Sequence, residues 1–124
     1  MSEIRLLFVS LPGMLSGILR VAASREPDLR IVEELGGLEG VSEAIDRTRP
    51  NVLIVGTEGG GLPGECALAM YDLPHTGILA VSLDGAVATA YRLRPQAVSI
   101  EDVSTRRIVE AIRDLSRPPP ELRD

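Results

Sequence analysis

No lysine occurs in the sequence: all thirteen basic side chains are arginine. Its absence excludes Schiff-base chemistry, the lysine of a phosphate-binding P-loop and any lysine that senses a phosphoryl group. Aromatic residues are almost as scarce, at 2%: there is no Trp, a single Phe (Phe8) and two Tyr (Tyr71 and Tyr91). With a net charge of −5 and few stacking side chains, the chain has neither the basic surface nor the aromatic platforms that nucleic-acid binding needs, so no nucleic-acid partner is expected. One cysteine, Cys66, excludes an internal disulfide, and the lone His75 lacks the companions of a metal-ligand set. No apolar run approaches the ~20 residues of a membrane span, and the opening MSEIRLLFVS lacks the pattern of a secretory leader. A cytoplasmic protein without a membrane partner is expected.

What is present is aliphatic. Hydrophobic residues make up 44% of the 124 positions, which suits one domain with a Val, Ile, Leu and Ala core. Such cores belong to parallel sheets covered by helices, whose buried strands read as short continuous apolar runs. Five such runs occur: IRLLFV from Ile4, Ile31-Val32, VLIV from Val52, ILAVSL from Ile78, and AVSI from Ala97. Helical periodicity separates them. Leu15, Ile18, Leu19 and Ala22 share a face after Ser10 and Pro12, with Ser10 as a candidate cap. Leu38, Val41 and Ile45 line a second helix, Pro63 can open a short third over Gly64–Tyr71, and Ser104 can cap a last one with Ile108, Ala111, Ile112 and Leu115 inward. The alternation predicts a doubly wound, flavodoxin-like α/β domain over residues 1–117, followed by an extended or disordered tail over 118–124 rich in proline.

One stretch breaks the rhythm. Asp84-Gly85 is a strong hairpin signal, and Val87, Thr89, Tyr91 and Leu93 alternate with Ala86, Ala88, Ala90 and Arg92. The alternation favours a β-strand in place of the fourth helix, placed at or near a sheet edge. A helix is the competing reading, because alanine is a good helix former.

In order and spacing, LLFVSLPGMLSGILRVAASREPDLRIV, AIDRTRPNVLIVG and EDVSTRRIVEAIRDL resemble the receiver domain of bacterial response regulators of the NarL/LuxR type, over roughly residues 4–116. The resemblance implies the five-stranded CheY-like fold. It also implies a phosphorylation site at the carboxyl ends of the strands, and there the chain departs from the family. An acidic pair after the first strand is replaced by Ser10 and Leu11, the phospho-accepting Asp by Gly56, and the Lys near the end of the fifth strand by Glu101. Only Ser82 matches, at the end of the fourth strand. Mg²⁺ needs hard oxygen ligands that Leu11 and Gly56 do not supply. The site is therefore expected to be degenerate, with no catalytic residue, no metal and no cofactor. No output domain is expected, since the sequence ends at Asp124.

A receiver without its switch is expected to act through its surface, as a regulatory or assembly module with an unknown protein partner, and as a homodimer. Val87, Tyr91, Arg92, Arg94, Arg106 and Arg113 form the candidate contact face, since Tyr and Arg are enriched where interfaces are strongest. The alternative is a flavodoxin-like domain that binds a small ligand with the strand ends and the loop GTEGGGLPGE. The bland reading of that loop is a surface connection, and that of Glu58, Asp84, Glu101 and Asp102 is four solvated carboxylates, with a displaced cation site as the competitor.

Overall fold

A computed structural model describes residues 3–67, 76–91, 98–100 and 103–116. Six strands form one sheet: β1 (Ile4–Val9), β2 (Leu29–Leu35), β3 (Val52–Thr57), β4 (Gly77–Ser82), β5 (Ala88–Tyr91) and β6 (Val98–Ser99), in the order β2-β1-β3-β4-β5-β6. The first four are parallel neighbours, which is the doubly wound order expected from the aliphatic runs. Three helices are complete: α1 (Gly13–Ser24), α2 (Val41–Thr48) and α3 (Thr105–Ser116). A helical turn at 64–67 enters a stretch, 68–75, outside the described residues, which holds His75.

β1, β3 and β4 are nearly unbroken apolar runs because they are buried on both faces, whereas β2 carries Arg30, Glu33 and Glu34 and is mostly half-buried. Leu6, Phe8, Ile54, Leu79 and Val81 meet α1 and α3 on one side. Leu7, Val9, Leu53, Val55, Ile78 and Ala80 meet α2 and Cys66 on the other. Burial pushes the Cys66 thiol up to about 11, so it packs as a small hydrophobe and not as a thiolate.

The hairpin forms. β5 runs antiparallel to β4, pairing Ile78 with Tyr91 and Val81 with Ala88. Gly85 takes a left-handed φ of 75°, its N–H donates to the Ser82 carbonyl at 2.8 Å, and the Ser82 N–H donates to the Val87 carbonyl at 2.8 Å. An antiparallel neighbour needs only a tight turn, where a parallel one needs a helical crossover. The strand lies near the sheet edge, as expected, but that edge is covered: β6 pairs antiparallel with β5 through Ser99 and Val98, and the two-residue β6 is the margin.

Two helix details differ from expectation. Ser10 does not cap α1; it takes a left-handed φ of 57°, and α1 starts after Pro12 without a side-chain cap. Ile18 points outward, and the buried positions of α1 are Ser16, Leu19 and Ala23. The Ser16 hydroxyl donates to Glu34 Oε2 at 2.6 Å, and Arg20 pairs with the same carboxylate. This polar anchor sets the rotation of a helix that is apolar nearly all round. Ser104 does cap α3, accepting from the Arg107 N–H at 3.2 Å.

Arg113 joins α3 to the turn between α1 and β2, donating to Asp28 at 3.0 and 3.1 Å and pairing with Glu26. The Arg113 guanidinium holds the Asp28 carboxyl below the ordinary value of 3.8. A lowered carboxyl adds stability that is complete above its ordinary value and is lost as pH falls through the lowered one. Arg113→Gln is therefore expected to lower the urea midpoint at pH 7, with the gap to the native chain shrinking as pH is taken below 3.8. A gap that stays constant down to pH 2 would contradict the coupling.

Candidate functional site

The parallel strands β1, β3 and β4 end together, and residues that follow such ends are where α/β sheets place ligands. Here the end of β3 is in contact with the chain that leaves β1. A Cβ built on Gly56 would lie 2.4 Å from the Ser10 carbonyl oxygen, 3.2 Å from its carbon and 3.3 Å from Leu11 Cα. All three are backbone atoms, so no rotamer change can open the space. The left-handed turn at Ser10 brings this backbone across, and the Ser10 N–H is tied to the Leu35 carbonyl at 2.9 Å. Leu11 packs against the core shared by α1 and α3.

Ser82, the one residue matching the receiver pattern, is committed elsewhere. Its hydroxyl donates to Asp84 Oδ1 at 2.7 Å and accepts the Val87 N–H at 2.9 Å. The Ala86 N–H donates to the same Asp84 oxygen at 3.0 Å. The Ser82 hydroxyl and this N–H hold the Asp84 carboxyl below its ordinary value. The serine and the aspartate thus act as one clamp on the hairpin turn.

Around this edge the structure supplies few groups for chemistry. Glu101 and Asp102 lie outside the described residues, and among the described ones no three Asp, Glu, His or Cys side chains gather as a metal set would. The glycine-rich loop opens with a 3-10 turn, Glu58–Gly60, next to Thr57, whose Oγ1 is buried without a hydrogen-bond partner among the described residues. Sequence reading passed over Thr57 because a threonine ending an apolar run carries no signal of its own.

The candidate contact residues do not converge. Tyr91 packs with the core on the α2 side, whereas Ala88 and Ala90 of the same strand face the α3 side. Arg106 is exposed on α3 and Arg113 is held by Glu26 and Asp28, so Tyr91 and these arginines lie on opposite layers. Val87 is 46% exposed beside the hairpin turn; Arg92 and Arg94 lie outside the described residues. Sequence reading left out Met14 and Val21 of α1 and placed Ile18 on the inner face; the three are exposed at 82%, 53% and 47%. Their signal was an excess of apolar positions in GMLSGILRVA over what one buried face requires.

No family model and no curated protein matches this sequence. Among solved structures the chain is similar to the isolated REC domain of RcsB from Salmonella enterica serovar Typhimurium, determined in the presence of the phosphomimetic BeF3−. The TM-score is 0.55 at 11% identity, over 92% of this chain and 72% of that one. The fold is thus that of a response-regulator receiver domain. No described helix is long and apolar enough to cross a membrane.

The contact at Gly56 makes a direct prediction. Gly56→Ala is expected to cost about 2–3 kcal/mol, the upper range for overfilling a packed interior, measured by urea denaturation. A variant as stable as the native chain would show that the backbone of Ser10 and Leu11 is not held against Gly56.

Proposed function

We propose that this domain is a receiver of the NarL/LuxR type that has lost phosphotransfer, catalyses no reaction, and works in the cytoplasm as a regulatory or assembly module through contact with protein. One observation carries the reading: at Gly56, the position that the resemblance gives to the acceptor carboxylate, the Ser10–Leu11 backbone leaves no room for any side chain. Two others support it. The Leu11 side chain is half-buried against the core of α1 and α3, and the Ser82 hydroxyl is spent on the hairpin. A site without a carboxylate pair for Mg²⁺ or a lysine to neutralise the transferred group leaves shape and surface as the means of action.

The test is intact-mass spectrometry after incubation with acetyl phosphate and Mg²⁺. An unchanged mass is expected. One added phosphoryl group that is lost on alkaline treatment would overturn the reading.

A further inference from the structure

Asp84-Gly85 is the one Asp-Gly or Asn-Gly pair in the sequence; every other internal Asp, and Asn51, is followed by Leu, Arg or Val. A residue without a side chain lets its own nitrogen swing onto the carboxyl before it, and the pair stands at a turn where Asp84 is exposed to water. In the folded turn both reacting groups are occupied. The Gly85 N–H donates to the Ser82 carbonyl at 2.8 Å. Asp84 Oδ1 accepts from the Ser82 hydroxyl at 2.7 Å and from the Ala86 N–H at 3.0 Å. The Ser82 hydroxyl is itself fixed, because Ser82 is buried and the hydroxyl also accepts the Val87 N–H at 2.9 Å. Ser82 thus holds the nitrogen of Gly85 through its carbonyl and the carboxyl of Asp84 through its side chain.

We propose that Asp84-Gly85 is a site of spontaneous covalent modification, the isomerisation of Asp84 to isoaspartate through a cyclic imide, and that the Ser82 clamp keeps it unmodified. In the first step the Gly85 nitrogen attacks Asp84 Cγ. A bond forms between them, one Cγ–O bond breaks, and the amide proton leaves with the carboxyl OH as water. Water then adds to the former main-chain carbonyl of Asp84 and breaks its bond to the Gly85 nitrogen, which leaves the chain joined through Cγ. Addition at Cγ instead restores aspartate. No electrons are exchanged, and water is the sole co-reactant. The first step needs a protonated carboxyl and a nitrogen free to turn. The clamp opposes both, since it favours the ionised carboxylate and ties the amide proton to Ser82. Reaction therefore proceeds from the opened turn, which a chain samples locally without unfolding. The product carries an extra backbone carbon in the turn and a displaced carboxylate. Turn length sets hairpin register, so the change uncouples β5 from β4, including the buried Ala88 opposite Val81. The inference is independent of the reading of the domain as a contact module.

The test is incubation of the full chain at 37 °C and pH 7, followed by digestion with a protease that cuts before Asp but not before isoaspartate, with circular dichroism to confirm folding. Isoaspartate is expected at position 84, and its formation should be at least about 10-fold slower in the native chain than in 8 M urea. Ser82→Ala should speed it about 5-fold, the effect of one lost hydrogen bond on an opening equilibrium. Ser82→Thr, which keeps the hydroxyl, should hold the native rate. Ile112→Val, in the core of α3, lowers global stability without touching the turn and should change the rate less than about 2-fold. Asp84→Glu should abolish the product. A native chain that reacts as fast as the unfolded one would overturn the protection. Equal rates for Ser82→Ala and Ser82→Thr would overturn the role of the hydroxyl, and an Ile112→Val chain as fast as Ser82→Ala would show that global unfolding, not the turn, controls the reaction.

Discussion

At the carboxyl edge of the sheet, the backbone leaving β1 crosses the end of β3 so closely that only glycine fits at position 56. Interiors packed to crystal density do not absorb an overlap of backbone on a side chain, since neither partner can rotate away. The left-handed turn at Ser10, the inward course of Leu11 and the start of α1 after Pro12 accompany this crossing. The same close approach lets two neighbouring strands end tightly together and leaves no room for a side chain at 56. The parallel order β2-β1-β3-β4 is that of the receiver fold, and its central edge is closed by main chain at one glycine.

The far side of that edge is rebuilt as well. Where a helical crossover would return the chain to a parallel strand, Asp84 and Ser82 clamp a turn and β5 folds back antiparallel. Inserting a strand there moves the sheet margin outward to the short β6, whose two residues present little open backbone. Among the described residues the exposed large hydrophobic side chains are Met14, Ile18 and Val21 of α1, together with Leu83 and Val87.

Most of the architecture was legible in the sequence because buried parallel strands leave unbroken aliphatic runs, and IRLLFV, VLIV and ILAVSL could hardly be anything else. The hairpin was legible too, since Asp84-Gly85 specifies the turn locally and the alternation after it has period two. The position of β6 was not, because pairing partners depend on where strands meet and not on their own residues. The rotation of α1 escaped for a different reason: Met14, Leu15, Ile18, Leu19 and Val21 cover more than one face, and the choice between them rests on Ser16 reaching Glu34, a contact 18 residues away in sequence. At the strand ends, the absence of a carboxylate at Ser10, Leu11 and Gly56 could be read directly. The close approach of the Ser10 and Leu11 backbone to Gly56 could not, because it is made by main chain.

NMR chemical shifts of the ¹⁵N-labelled chain, titrated with Mg²⁺ and beryllofluoride, report on that space without requiring any reaction. The amides of Leu11, Gly56, Thr57 and Ser82 are expected to stay where they are up to millimolar concentrations, because the backbone of Ser10 and Leu11 closes over Gly56 and leaves no side chain there to bind a cation. Saturable shifts concentrated at these four amides would show that the strand ends still hold a cation and a phosphoryl mimic, and would contradict the account.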